Sequence, residues 1–164
     1  MMRWKLAAGW VAAQVLFFAG WAAVEQRRHT VGESILVKTA PVDPRDLLSG
    51  QYLALSYDFS RMRTLRDLGR EAEEGEAVWV VLKPDGPFHV PDYAMSYRPE
   101  EVEPGSVAIA GRRERWRLVF GTEKYFVPEG TETPSWSDTT VRLRVSADGE
   151  VRIQQVLVRG KPWP

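Results

Sequence analysis

Residues 140–146 read TVRLRVS, residues 147–149 read ADG, and residues 151–158 read VRIQQVLV. In the first run Val141, Leu143 and Val145 alternate with Arg142 and Arg144. A period of two gives a strand one face for a core and one for water. Asp-Gly supplies turn chemistry, and the second run returns, so the stretch is a β-hairpin.

Upstream segments follow the same logic. Residues 115–121 alternate Trp116, Leu118 and Phe120 with Arg115, Arg117 and Val119, and with Ser106–Ala110 they flank Gly111 as an expected hairpin turn. Residues 77–83, AVWVVLK, are nearly continuously apolar, as expected of a central strand covered on both faces. Residues 84–87, PDGP, read as a turn. Pro91, Pro99 and Pro104 allow residues 88–104 no more than edge strands. In residues 51–59, QYLALSYDF, Leu53, Leu55 and Tyr57 share one face of a strand, and Tyr52, Ala54 and Ser56 share the other. Residues 34–40, SILVKTA, make a further strand, and 123–127 extend or bend another. Two stretches depart from this pattern. Residues 43–48, DPRDLL, suit a helical turn capped by Asp43 with Pro44 at its first position. The charged run near 60–74 spaces Met62, Leu65 and Leu68 as a short helical excursion does. Seven or eight short strands make residues 31–164 one all-β domain, mainly antiparallel, a small barrel or a sandwich.

The first 30 residues are different. Residues 6–24 carry no charge and one strong polar group, Gln14, with Arg3 and Lys5 before them and Arg27 and Arg28 after. A helix over this stretch is about 28 Å long, close to the hydrocarbon thickness of a bilayer. Trp4 and Trp21 fall near the two interfaces. The expectation is one N-terminal transmembrane helix, retained as an anchor. A cleaved signal is disfavoured because Gly20-Trp21-Ala22 puts a bulky residue inside a cleavage site. The basic residues give a slight bias toward a cytoplasmic N-terminus and an extracytoplasmic domain. Ala8, Ala12, Ala19 and Gln14 suit helix–helix contact in the bilayer.

Charge and composition exclude several classes. The chain has 22 basic and 22 acidic residues; residues 1–30 hold four and one of them, so the remainder carries 18 against 21, net −3. A net-acidic domain is a poor ligand for nucleic acid. The absence of cysteine removes disulfides, thiolate metal sites and Cys nucleophiles. His29 and His89 are the only histidines. No metal site, cofactor or catalytic constellation is expected.

Residues 50–57, GQYLALSY, resemble the signature of the bacterial GDYXXLXY proteins, and residues 41–48 and 125–130 are similar to that family as well. Gln51 stands where the signature has an acidic residue. The resemblance implies a membrane context, in a bacterial inner membrane, and a multi-spanning membrane protein as partner. It brings no established activity with it. Candidate binding residues are Gly50, Gln51, Tyr52, Leu55 and Tyr57 in the signature, Asp43 and Arg45 ahead of it, and Glu129 beyond it. The bland roles are close backbone approach for Gly50, core packing for one tyrosine, helix capping for Asp43, and backbone hydrogen bonding for Glu129.

Three functions are open at this level. The first is an accessory protein docked on a multi-spanning partner. The second is a ligand-binding envelope domain, with Tyr52, Tyr57, Trp79 and Trp116 lining a pocket. The third is a hydrolase using Glu129 with Asp43, Asp46 or Asp58.

Overall fold

The computed structural model describes residues 9–22, 32–40, 52–61, 72–128, 130–131 and 134–163. The chain divides into two units, Met1–Gly32 and Glu33–Pro164. The first contains a helix over residues 9–22, with Trp10, Leu16, Phe17, Phe18 and Trp21 all exposed. Fourteen helical residues extend about 21 Å. Among the described residues no helix is long and apolar enough to cross a membrane. The expected span over 6–24 therefore appears only in its central part, and its two ends lie outside the described residues.

The second unit is all β. Ten strands are found among its described residues: β1 (Glu33–Lys38), β2 (Tyr52–Ala54), β3 (Ala77–Asp85), β4 (Phe88–Met95), β5 (Val107–Glu114), β6 (Arg117–Val119), β7 (Lys124–Phe126), β8 (Thr139–Val145), β9 (Val151–Val158) and β10 (Lys161–Trp163). Every pairing is antiparallel. One sheet runs β1-β8-β9-β10, another β4-β3-β5-β6, and β2 pairs with β7.

The hairpin read from residues 140–158 forms as expected, with Val141, Leu143 and Val145 buried. On its other side β8 takes β1, setting Ile35 against Leu143 and Val37 against Val141. Each such fully buried aliphatic side chain contributes about 1.5–3 kcal/mol over its exposed state. β3 lies between β4 and β5, and Val78, Val80, Val81 and Leu82 of its continuous apolar run are all buried. β4 is an edge strand, and Pro91 sits where the ladder shifts register. A residue without an N–H is tolerated at such a place.

Two readings need correction, and one strand was not foreseen. The PDGP turn begins later, because Pro84 and Asp85 remain in β3 opposite His89 and Phe88. Gly111 is no turn: β5 passes straight through it, and the hairpin reverses at Arg115-Trp116. Gly111 serves packing instead, because a Cβ there would come within 2.6 Å of the Phe120 ring. β10 is unforeseen. It follows a two-residue turn at Arg159-Gly160, both at positive φ as a type I′ turn demands. Asp43 to Leu48 and most of the 60–74 excursion lie outside the described residues; Asp58–Ser60 form a short 3₁₀ turn.

The two four-stranded sheets meet between β1 and β4, where the Lys38 ammonium lies over the Phe88 ring, and again at the tip of the β8–β9 hairpin. The Ala110 amide donates to the Gly149 carbonyl at 2.9 Å, and the Trp79 ring covers Gly149. Arg98 clamps the same tip, its guanidinium donating to the Ala147 carbonyl at 2.7 Å and lying 5.7 Å from the Trp79 ring centre. Gly149 has φ +83° and a Cβ would run into the Trp79 ring. Gly149→Ala is therefore expected to lose about 2–4 kcal/mol in urea denaturation, from left-handed strain plus overpacking. Gly86→Ala, at φ +59° with open space around it, is expected to lose only the strain component, about 1–2 kcal/mol.

Candidate functional site

The signature strand sorts its residues as the period of two requires. Leu53, Leu55 and Tyr57 are buried, while Tyr52, Ala54 and Ser56 are half-buried. It bonds on two sides. The Leu55 amide donates to the Glu123 carbonyl at 2.8 Å, extending the β2–β7 pairing. The Ala40 amide donates to the Ser56 carbonyl at 2.8 Å, and Tyr57 bridges to Thr39. The strand thereby joins β7 to the continuation of β1.

Tyr57 is completely enclosed. Its hydroxyl donates to the Thr122 carbonyl at 2.9 Å. Its ring stacks on Phe59 at 4.8 Å between centroids, and Phe59 meets Phe120 edge-on at 5.1 Å. Burial pushes the phenol well above its ordinary range, the nearby Glu123 carboxylate adds to the rise, and the Thr122 side chain acts the other way. Such a tyrosine is a structural element. It is unsuited to proton transfer at neutral pH.

Tyr52 has the opposite role. It faces Phe126 directly across the β2–β7 pair, with ring centroids 6.3 Å apart and an edge-to-face tilt. The Lys124 ammonium lies 4.7 Å from the Tyr52 ring centre. Phe126 is 75% exposed, although a phenylalanine gains most by burial. Beside the same strand runs a groove of about 470 Å³, lined among the described residues by Thr39, Ala40, Leu53–Ser56, Pro134–Trp136 and Thr139. Trp136 is 51% exposed on a 3₁₀ turn at this groove. Both threonine hydroxyls of the groove are tied down: that of Thr39 donates to the Trp136 carbonyl at 2.7 Å, and that of Thr139 to the Ser135 carbonyl at 2.7 Å. What remains is apolar wall beside exposed aromatic rings, a surface suited to contact rather than to bond-breaking.

Of the candidate residues, the structure places Tyr52 on β2 and Leu55 and Tyr57 on the segment that directly continues it. Gly50, Gln51, Asp43, Arg45 and Glu129 lie outside the described residues, as do Asp46 and His29. The four aromatics suggested as a pocket do not come together. Tyr57 is sealed in the core, Trp79 lies against Gly149, and Trp116 stands 66% exposed at the β5–β6 turn. Asp58 is largely exposed and pairs with Arg61 at 3.5 Å. His89 Nε2 lies 3.1 Å from the Gly105 carbonyl, which accepts its N–H. No group of acids or histidines that could hold a metal is found among the described residues. Sequence reasoning missed Phe126 and Trp136. Phe126 lies in a stretch already noted, but its pairing with Tyr52 spans more than seventy residues of chain.

Tyr57→Phe removes one hydrogen bond and leaves a buried carbonyl unpaired, which is expected to cost about 1–3 kcal/mol in thermal or urea denaturation. The folded phenol holds its proton more tightly than the unfolded one, whose pKa is about 10. Its contribution to stability is thus complete below about pH 10 and lost as pH rises further. In an alkaline absorbance titration, Tyr57 is expected to ionise only together with unfolding.

Comparison with known proteins places this geometry in a family. No curated protein and no solved structure matches the chain. The family model described as GDYXXLXY protein matches residues 14–156, most of the sequence and the whole signature strand. The chain belongs to the GDYXXLXY protein family.

Proposed function

We propose that this chain is a membrane-anchored accessory protein without its own catalytic chemistry, and that it docks on a multi-spanning membrane protein through the outward side of the signature strand. The observation that carries this reading is the apolar groove beside the signature strand, with Trp136 exposed on its wall and Phe126 exposed opposite the half-buried Tyr52 of the same strand. Aromatic residues that the fold leaves exposed around a partly apolar depression are common anchors of protein interfaces. The inward residues Leu55 and Tyr57 hold that surface in place. The helix over 9–22 supports the anchor, since its exposed Trp10, Val15, Leu16, Phe17, Phe18 and Trp21 favour an apolar surrounding. Continued over the uncharged residues 6–24, it would reach about 28 Å, with the β-domain on the extracytoplasmic side of a bacterial inner membrane.

A second reading draws on the groove itself. Its Leu53, Leu55, Ala40 and Trp136 walls would suit a small apolar envelope molecule. Such a ligand would raise the thermal midpoint of the isolated protein with the logarithm of its concentration once that exceeds Kd.

The test is affinity purification of a C-terminally tagged chain from its native membrane in mild detergent. The expected result is a stoichiometric multi-spanning protein in the eluate. Phe126→Asp together with Trp136→Ala, both at exposed positions, is expected to lower its recovery at least tenfold, about 1.4 kcal/mol, with an unchanged thermal midpoint. An eluate holding only the chain itself would contradict the reading. So would full recovery with the double variant.

A further inference from the structure

The turn of the β5–β6 hairpin carries an arrangement that folding does not require. Residues 112–117 read RRERWR. Glu114 pairs with Arg117, so Arg115 and Trp116 form the two-residue turn. Arg115 has φ +54°, in the left-handed region where glycine or asparagine is the usual occupant. Trp116 is 66% exposed at the apex. A turn selected for stability alone would carry a glycine first and a polar residue second. Strain retained beside an exposed indole points to use of the tip.

The surroundings indicate what it meets. A groove of about 610 Å³ at the tip is lined by Glu74, Gly75 and residues 112–117, including four arginines. Against its four arginines the groove lining holds two carboxylates, Glu74 and Glu114, so it stays net basic. Glu74 accepts the Arg115 amide at 2.7 Å, Glu76 accepts the Glu73 amide at 2.8 Å, and Glu114 lies 3.8 Å from the Arg112 guanidinium. The Arg117 guanidinium lies 5.9 Å from the Trp116 ring centre. An indole thus stands beside the Arg117 guanidinium at the apex of a hairpin whose groove holds three further arginines.

We propose that this tip docks on an anionic bilayer surface, with Trp116 in the headgroup layer and Arg112, Arg115 and Arg117 on lipid phosphates. Guanidiniums match phosphate in forked geometry, and an indole is at its best where one edge is wet and the ring is not. A small free anion would need the arginines alone; Trp116 is the residue that favours a lipid surface. Screening confines electrostatic reach to about 8–10 Å, so the tip rather than the acidic remainder of the domain meets the surface. This site is separate from the signature-strand surface. It rests on the reading above only in placing the domain beside a membrane.

The chain has no cysteine. Trp116→Cys can therefore carry a single environment-sensitive aromatic fluorophore at the apex. Full-length labelled protein is reconstituted into vesicles of phosphatidylcholine alone and of equimolar phosphatidylcholine and phosphatidylglycerol. Emission is expected to shift to the blue only with phosphatidylglycerol, and to return on raising the salt concentration. Adding Arg115→Gly and Arg117→Gln is expected to abolish the shift. Arg115→Gly relieves backbone strain, so the thermal midpoint should hold or rise, which separates lost docking from unfolding. Equal emission in the two vesicle types overturns the proposal. A shift removed by excess inorganic phosphate at constant ionic strength also overturns it, reassigning the tip to free phosphate. The fluorophore reports on the hairpin alone, so failure here is distinct from failure to recover a membrane partner through Phe126 and Trp136.

Discussion

The Tyr57 hydroxyl, closed into the core on the Thr122 carbonyl, constrains most of what surrounds it. A phenol with no access to water needs that acceptor, and the acceptor fixes where the ring lies. The ring fixes Phe59 by stacking, Phe59 fixes Phe120 edge-on, and Phe120 lies over Gly111 in β5. One chain of aromatic contacts therefore runs from the signature strand to the β4-β3-β5-β6 sheet. Backbone bonds to Glu123 and Ala40 tie the same strand to β7 and to the continuation of β1. Slipping the strand by one residue would put Tyr57 outside and Tyr52 inside, and would break each of these connections.

The same alternation separates structure from recognition. Leu53, Leu55 and Tyr57 face inward and complete the core. Tyr52 faces outward and joins Phe126 and Lys124 in a surface that the domain does not cover. A strand held this firmly presents its outer side chains with little freedom, which lowers the entropic cost of docking. The β5–β6 turn shows the converse arrangement, a strained and exposed tip on a well-paired hairpin. Both surfaces are aromatic. They differ in charge, since guanidiniums dominate only the tip.

Much of the fold was legible because its strands advertise their faces. Val141, Leu143 and Val145 alternate with arginines, and the Asp-Gly turn lies between well-marked strands. The continuous AVWVVLK run suggested a central strand covered on both faces; β3 has β4 and β5 beside it, and Val80 and Val81, on opposite faces, are both buried. Failures arose where a residue has two common uses. Gly111 read as a turn because glycine marks turns, yet here it makes room for a ring that arrives from β6's far end. Arg115-Trp116 carried no turn signal, since neither residue favours the conformation that Arg115 adopts. β10 was missed because three residues with a central proline fall below any periodic pattern. The site was legible only in part. The inward and outward sides of residues 52–57 follow from periodicity, but the pairing with Phe126 and the approach of Trp136 depend on long-range topology.

Amide hydrogen exchange of the full chain in mild detergent tests most directly whether the signature strand is part of the cooperative core. The Leu55 amide, bonded to Glu123, and the Ala40 amide, bonded to Ser56, are expected to exchange as slowly as those of β8, with all of them opening only on global unfolding. Exchange at these two amides many times faster than in β8 would mean that the strand opens on its own. Tyr57 would then not be the constraint on which the surrounding structure depends.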